Sequence, residues 1–260
     1  MPSESLHTTA VGDHGSLIAF CHGLFGQGRN WNGIAKALAD EHRSLLVDLP
    51  HHGRSTWSGD VDYPTMADQV AQLLSPDDPV TLVGHSLGGK LAMVLALRHP
   101  ELVTRLCVVD IAPVDYEGSA EFARYVEAMR GLDLEAIRDR GDAAEAFTEA
   151  VPNRTVRDFL LQSLRRDGDH WRWQVDLEGL GAALPRISGW PEETLGTAVY
   201  DGPVLWVAGS ESAYVSDERA AEMTRRFPHH RRVVIKGAGH WVHSEKPQVF
   251  VEVLRRFAAD

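Results

Sequence analysis

The sequence has few cysteines, no long apolar run and no apolar N-terminal segment, features on which disulfide-rich, membrane and secreted proteins depend. Only two cysteines, Cys21 and Cys107, occur in 260 residues, which excludes a disulfide framework, and both lie in apolar runs where buried, reduced thiols are expected. The longest uninterrupted apolar run covers residues 91–97 and is too short to cross a bilayer. Residues 1–15 are polar and lack the apolar centre of a signal peptide. We therefore expect a cytoplasmic protein with no membrane segment.

Positive charge is also scarce. Lys and Arg together number 26 against 37 Asp and Glu, so the formal net charge is −11. A nucleic-acid-binding protein needs a basic surface, and this composition argues against nucleic acid and against anionic membranes as partners. The same net charge gives an anionic substrate no long-range attraction, although a local basic pocket is compatible with it.

The residues that are present indicate a globular protein with alternating strands and helices. Hydrophobic residues make up 43% and charged residues 24%, both near the averages of folded proteins. Continuously apolar runs, typical of strands buried on both faces, occupy residues 16–21, 44–47, 80–83, 105–109, 204–207 and 232–235. Helical patterns lie between them at 31–39, 65–74, 87–98, 216–227 and 247–257. This alternation predicts an α/β fold with a mostly parallel sheet and helices on both faces.

The alternation is interrupted once. Residues 116–198 contain no convincing strand pattern, and helices are predicted there at 121–130, 133–138, 143–149 and 157–165. The simplest interpretation is a core, residues 1–115 and 199–260, with an inserted helical cap at residues 116–198. Because ligands of open α/β sheets bind beyond the carboxyl ends of the strands, a cap at that edge would cover the site.

The segment Gly84-His85-Ser86-Leu87-Gly88 carries the strongest chemical signal. Its G-x-S-x-G pattern follows an apolar strand and precedes a helix rich in Ala, Leu and Met, which is the context of a nucleophile elbow. Gly84 and Gly88 have no Cβ, so the neighbouring elements can approach closely. Ser86 would stand at a helix N-terminus, where the dipole favours developing negative charge. Ser86 is therefore the candidate nucleophile.

A serine nucleophile needs a base, and His240 is the best candidate among 13 histidines. It follows the last predicted strand through a loop of small residues, so it should reach the same sheet edge as Ser86. His243 is the nearby competitor. His240, His243 and Glu245 could instead ligate a metal, a weaker interpretation because no motif such as H-E-x-x-H surrounds them. We expect neither a metal nor a cofactor.

The base needs an orienting acid, and two strand ends offer one. Asp110 ends the core strand that follows the elbow, whereas the loop after the next core strand contains Ser212, with Glu211 beside it and Asp217 further along. A serine can fix the imidazole tautomer through a hydrogen bond, but it carries no charge to stabilise the imidazolium. We predict Asp110 as the acid and Ser212 as a second partner, with Glu211 and Asp217 as the alternatives.

An oxyanion hole requires two backbone N–H donors near the nucleophile. One is expected from Leu87, the residue after Ser86, and the other from the turn at residues 22–26, which reads HGLFG and follows the first long strand. Leu24 N–H is the candidate in this turn, with Phe25 N–H next. Each donor should stabilise the transition state by about 2.7–4 kcal/mol.

Together these residues resemble the α/β-hydrolase superfamily over nearly the whole chain. The elbow, the HGLFG turn, a His-Gly-Arg-Ser turn and a Gly-Ala-Gly-His-Trp ending occur in the expected order. The segments at residues 62–67, 110–116 and 240–247 are similar to a branch of small bacterial carboxylesterases and acyl-thioesterases, with mitochondrial hydrolase and yeast ethanol acetyltransferase relatives. That branch places the acid at the Asp of Asp-Ile-Ala-Pro and a Ser after the next strand. The resemblance therefore supports Asp110 and Ser212.

The predicted function is that of a serine carboxylesterase acting on small-molecule esters of short-to-medium acyl chains, through a Ser-His-Asp acyl-enzyme mechanism. Neutral esters are favoured over acyl-CoA because the net charge is negative. The alternatives are an acyl-CoA thioesterase, an alcohol acyltransferase or, from a different class, a non-catalytic small-molecule receptor. The walls of an apolar substrate pocket are predicted to include Phe25, Tyr116, Phe147 and Trp241.

Overall fold

The structure, a computed structural model, describes residues 5–117 and 120–259. Its strands are β1 (Thr8–Val11), β2 (Ser16–Cys21), β3 (His42–Val47), β4 (Val80–His85), β5 (Val103–Val109), β6 (Leu164–Asp167), β7 (His170–Trp173), β8 (Val204–Gly209) and β9 (His230–Ile235). Its helices are α1 (Asn32–Leu38), α2 (Tyr63–Ala71), α3 (Leu87–Arg98), α4 (Ala120–Arg130), α5 (Arg140–Ala146), α6 (Arg154–Leu160), α7 (Leu177–Ser188), α8 (Glu192–Leu195), α9 (Ala220–Arg226), α10 (Val242–Glu245) and α11 (Pro247–Ala259).

Seven strands form the central sheet in the order β1-β3-β2-β4-β5-β8-β9. β1 pairs antiparallel with β3, whereas the other neighbouring pairs are parallel. The six predicted strands are all present, which confirms the α/β fold with a mostly parallel sheet. β1 was not predicted because it is a short, half-exposed edge strand that gains its partner only in the folded sheet.

Alternate side chains of the strands enter two separate apolar layers. Leu82 belongs to the layer that includes α2 and α3, whereas its neighbour Val83 belongs to the layer that includes α1 and α11. Both cysteines are buried free thiols in β2 and β5, as expected. Within residues 5–117 and 120–259, no helix has both the length and the apolar character needed to cross a membrane.

The segment between β5 and β8 is less helical than predicted. The helix predicted at 133–138 is wrong, because the Asp133 side chain accepts from the N–H groups of Glu135 and Ala136 and forms a turn. The expectation that 116–198 contains no strand is also wrong, because β6 and β7 form a hairpin where the end of a helix was predicted. Gly168, with a φ of 62°, begins the two-residue connection of this hairpin. Helix α7 was not predicted, and it contains Pro185.

The parallel strands deliver the predicted site residues to one edge of the sheet. Ser86 follows β4, and Asp110 follows β5 directly. Ser212 and His240 come after β8 and β9 in the same direction. Because parallel strands share the edge at which their carboxyl ends lie, these four side chains can meet although they are far apart in sequence.

Candidate active site

Ser86 occupies a strained turn between β4 and α3. Its φ of 51° and ψ of −117° place an L-residue in a left-handed region that is costly for any side chain. The turn closes only because its flanking residues are glycines: a Cβ on Gly84 would lie 2.2 Å from the Gly88 carbonyl oxygen, and one on Gly88 would lie 2.4 Å from the His22 carbonyl oxygen. The local sequence thus produces the sharp bend that a nucleophile elbow requires.

The structure brings Asp110 and His240 into direct contact. His240 Nδ1 lies 2.8 Å from Asp110 Oδ2, and Asp110 is fully buried. Two further donors satisfy the carboxylate, since Gly209 N–H donates to Oδ1 at 3.1 Å and the Ser212 hydroxyl donates to Oδ2. A proton on Nδ1 therefore faces the carboxylate, and Nε2 is left as the basic nitrogen of the imidazole.

The alternative acids lie elsewhere. Asp217 forms an ion pair with Arg232, and Glu211 is exposed. The competing base is also engaged differently: His243 is buried and stacks on Trp31, with ring centres 4.2 Å apart. Burial, and secondarily the nearby His240, lowers the pKa of His243 to about 3, so this imidazole stays neutral.

His240 contacts two neighbouring rings. The Tyr214 ring lies 4.3 Å from it and the His85 ring 4.7 Å, measured between ring centres. His85 Nε2–H donates to the His240 carbonyl oxygen at 2.9 Å, which anchors the backbone of the loop after β9. Burial lowers the pKa of His85 well below its usual value, so it acts as a neutral donor in this contact.

The turn at residues 22–26 lies against the nucleophile. A Cβ on Gly23 would be 3.4 Å from Ser86 Cβ, and Gly26 N–H closes the turn on the Gly23 carbonyl oxygen at 2.9 Å. Phe25 N–H donates to His52 Nε2 at 3.2 Å, so this donor is already occupied. Among residues 5–117 and 120–259, no acceptor is found for Leu24 N–H or Leu87 N–H.

Two buried histidines hold this turn. His22 Nδ1–H donates to the Gly23 carbonyl oxygen, and His22 Nε2 accepts the N–H of Leu49 at 3.0 Å. His52 Nδ1–H donates to the Pro50 carbonyl oxygen, which leaves Nε2 as the acceptor for Phe25. Burial lowers the pKa of His22 to about 4 and that of His52 to about 3. The sequence analysis did not single out His52 and so missed this function.

Ser86 lies between two cavities. The larger, of about 210 Å³, is mostly apolar, and Tyr116, one of the residues named from the sequence, lies in its wall. The smaller, of about 20 Å³, is lined by His240 and by Phe25 and Trp241, two of the predicted pocket residues. Phe147 lines neither cavity and is a correction: it is buried against Trp173, with ring centres 6.2 Å apart, because it packs inside the inserted segment.

The larger cavity also contains residues that sequence reasoning missed. Lys90, on the first turns of α3, is buried in its wall, and Arg219 lines it from a 3-10 helical turn (Asp217–Arg219) before α9. The sequence offered one signal for Lys90: it comes four residues after Ser86 at the start of the same helix, a spacing that places both on one face. Within the described part of the chain, no group of three or more His, Cys, Asp or Glu side chains is arranged to hold a metal ion.

Comparisons with known proteins agree with this architecture. The sequence profile of the α/β hydrolase fold matches residues 17–247. The chain is 37% identical to the mouse sn-1-specific diacylglycerol lipase ABHD11 over 93% of its own length and 80% of that protein. It is 34% identical to esterase YbfF of Escherichia coli, with 97% of each chain covered. Among solved structures, a marine microorganism esterase superposes with a TM-score of 0.92 and 28% identity, over 98% of this chain and 100% of that one.

A profile that covers most of the chain, together with relatives above 30% identity over nearly its whole length, is sufficient to assign the family. The relatives named esterase and lipase also agree with the chemistry that a serine and an imidazole lining one cavity support. The chain therefore belongs to the α/β-hydrolase family and is a carboxylic ester hydrolase.

Proposed function

We propose that the protein hydrolyses short-to-medium acyl esters of small molecules through an acyl-enzyme formed on Ser86. The observation that carries this proposal is the buried Asp110 carboxylate bound to His240 Nδ1, with His240 and Ser86 lining one cavity. This tautomer leaves Nε2 free to accept the Ser86 proton. The serine oxygen then attacks the ester carbonyl.

The oxyanion that forms is held by the N–H groups of Leu24 and Leu87, which face no protein acceptor among residues 5–117 and 120–259. His240 then gives its proton to the leaving alcohol, and the acyl-enzyme forms. Water repeats the same steps and releases the acid. Asp110 stabilises the imidazolium in both halves, and Ser212 supports the carboxylate through its hydroxyl hydrogen bond.

The alcohol and acyl parts of the ester are expected to bind on the sides of different cavities. Because His240 must protonate the leaving alcohol, the alcohol part belongs on the side of the smaller cavity, which His240 lines. The acyl part then occupies the larger cavity, whose volume of about 210 Å³ lies below the usual range for drug-sized ligands. We therefore expect short acyl chains to be preferred over long ones. The described residues of the proposed cap, 116–117 and 120–198, contribute Phe122, Leu184 and Ile187 to the cavity wall.

The test is the variant Ser86→Ala, with Ser75→Ala as its control because Ser75 is an exposed serine near the end of α2. Wild type and the control should react with a fluorophosphonate, and mass spectrometry should map the label to Ser86. Hydrolysis of p-nitrophenyl butyrate by Ser86→Ala should fall by about 10⁴-fold or more. Wild-type activity in Ser86→Ala would overturn the proposal.

A substrate panel then defines the range. Ethyl esters from acetate to decanoate report the acyl length, and butyryl-CoA compared with ethyl butyrate separates thioester from ester hydrolysis. A short-chain diacylglycerol tests the substrate class named in the mouse relative. Acetate ester formation in aqueous ethanol would reveal transfer to an alcohol.

A further inference from the structure

The larger cavity has two cations in its wall, Lys90 and Arg219. Lys90 lies one helical turn after Ser86, and its backbone N–H donates to the Ser86 carbonyl oxygen at 3.0 Å. Its Nζ is 4.8 Å from the centre of the Tyr116 ring and 5.8 Å from that of Tyr63, and both rings line the same cavity. Since Lys90 is only 2% exposed, its ammonium group is buried beside the space that the acyl group would occupy.

The protein satisfies this ammonium group only in part. Nζ donates to the carbonyl oxygens of Ser188 and Gly189, each at 2.7 Å, whereas an ammonium has three N–H donors. Within residues 5–117 and 120–259, no carboxylate oxygen lies within 4.0 Å of Nζ. A buried charge without a counter-ion is costly, because it has lost its water and gained no ionic partner. The cavity therefore offers a site for an anion.

Arg219 reinforces the positive charge of this wall. Its guanidinium carbon is 4.5 Å from the centre of the Tyr116 ring, and Nη1 donates to the carbonyl oxygens of Ala213 and Tyr214. In the described part of the chain, Arg219 forms no ion pair with a carboxylate. Its contacts with backbone oxygens orient the guanidinium but leave its charge unmatched.

Two acidic residues belong to the same region, and both are exposed. Asp115 accepts the N–H of Trp190 at 2.6 Å, and Glu117 is an exposed residue of the cavity wall. The buried part of the wall therefore carries positive charge, whereas the acidic groups face solvent, where water screens them.

We propose that the larger cavity binds acyl groups that end in a carboxylate, so that the preferred substrates are half-esters of short dicarboxylic acids, with Lys90 and Arg219 pairing with the distal carboxylate. This inference rests on the proposed function, because it assumes that the acyl carbon reaches Ser86. The net charge of −11 disfavours the approach of such an anionic substrate. Once the substrate is bound, however, the nearby pair of cations acts on it at contact distance, whereas the overall charge affects only the encounter.

The state of Lys90 is consistent with such a ligand. Burial lowers the pKa of Lys90 to about 7, with Asp115 raising it and Arg219 lowering it further. A carboxylate at contact distance would stabilise the ammonium form. Lys90 has a second effect, because the carbonyls of Ser188 and Gly189 lie at the C-terminus of α7, where a cation is favoured by the helix dipole. If Lys90 only held the C-terminus of α7 in place, its loss would affect the hydrolysis of all esters alike. The measurement that separates the two roles is therefore a comparison of charged and neutral substrates.

The experiment compares monoethyl succinate with ethyl 4-oxopentanoate, a neutral ester in which a methyl ketone replaces the terminal carboxylate. Ethanol release gives kcat and KM for both, and monoethyl glutarate with ethyl 5-oxohexanoate extends the series. We expect kcat/KM of the wild type to be about 10- to 100-fold higher for the half-ester, as a hydrogen-bonded charge pair would give. Lys90→Met should abolish most of that preference, mainly through KM. Lys36→Met is the control, because Lys36 is exposed on α1 and its loss changes the net charge equally.

Arg219→Met should shift the preference in the same direction, and it keeps the contact between Lys90 and α7. It therefore decides the question if Lys90→Met does not fold. Equal wild-type kcat/KM for the two esters, or equal losses on both in the variants, would overturn the inference. The proposed function is judged separately, since it requires only that the wild type hydrolyse the neutral keto ester and that Ser86→Ala does not.

Discussion

The substitution Asp110→Asn should nearly abolish turnover while leaving substrate binding intact. Asp110 accepts three hydrogen bonds, from His240 Nδ1–H at 2.8 Å, Gly209 N–H at 3.1 Å and the Ser212 hydroxyl. An asparagine has a single carbonyl oxygen, which at the Oδ1 position would keep the bond from Gly209 N–H and leave the NH₂ group at the Oδ2 position. Its NH₂ group would then face His240 Nδ1 and donate to it. This favours the imidazole tautomer with the proton on Nε2, and that tautomer cannot accept the Ser86 proton.

The magnitude follows from the loss of both tautomer and charge. A wrong tautomer beside an otherwise intact site lowers kcat by about 10⁴-fold, which corresponds to about 5.5 kcal/mol of transition-state stabilisation. KM should change little, because Asp110 is buried behind His240 and lines neither cavity. Removal of the remote alternatives, by Glu211→Gln or Asp217→Asn, should leave kcat within about threefold of wild type, as expected for exposed side chains.

The assay is the initial rate of p-nitrophenyl butyrate hydrolysis across substrate concentrations, with thermal melting to verify folding. A folded Asp110→Asn variant that keeps more than a tenth of the wild-type kcat would refute the assignment of the acid. A large loss in Glu211→Gln or Asp217→Asn, with Asp110→Asn active, would transfer the role to the loop after β8.

The other predictions concern hydrogen bonding, pH and thiol reactivity. Ser212→Ala should lower kcat by about 10- to 100-fold, since it removes one hydrogen bond to a buried carboxylate but no charge; a loss as large as that of the acid variant would contradict this. Because the pKa values of His22 and His52 are lowered to about 4 and about 3 in the folded state, the unfolded chain takes up protons first as the pH falls below about 6.5. Below about pH 6.5, each of these two histidines should therefore lower the free energy of unfolding by about 1.4 kcal/mol per pH unit, until the pH reaches its folded pKa. Urea unfolding from pH 7 to pH 4 measures this slope, and His52→Gln should reduce it. A stability independent of pH in that range would refute it. Cys21 and Cys107 are buried, with their pKa values raised by desolvation, so both should react with a thiol reagent only after denaturation, and labelling of the native protein would contradict their placement.

The inserted segment shows where reading the sequence failed. The strands β6 and β7 are only four residues each and are largely exposed, so their alternation was too short to separate from the end of a helix. Phe147 was predicted to line the pocket, but a helical pattern does not show whether an aromatic side chain faces the ligand or the interior of the segment. The structure buries it against Trp173, and the cavity wall is formed instead by residues such as Phe122 and Ile187.

Lys90 and His52 illustrate a second limit. A lysine in an apolar helix and a histidine in a polar turn are each compatible with an exposed side chain. Only the approach of the C-terminus of α7 gives the buried Lys90 ammonium its acceptors, and only the approach of the 22–26 turn gives His52 an N–H to accept. Such roles depend on distant segments: the four-residue spacing places Lys90 one helical turn from Ser86, but it does not show that the ammonium group is buried.

What the sequence determined by itself was local: the continuously apolar strands, the helices that follow them and the bend at Ser86, because glycines at positions 84 and 88 are needed wherever backbone atoms approach so closely. It also narrowed the acid and the base to a few residues at strand ends. The tertiary structure decided which of these meet. Parallel pairing of β4, β5, β8 and β9 sets their carboxyl ends at one edge, where Asp110 contacts His240 rather than His243 and where Tyr116 and Lys90 line the larger cavity beside Ser86. Contacts between residues more than a hundred positions apart arise only from that pairing, since the chain alone does not fix the distance between its strands.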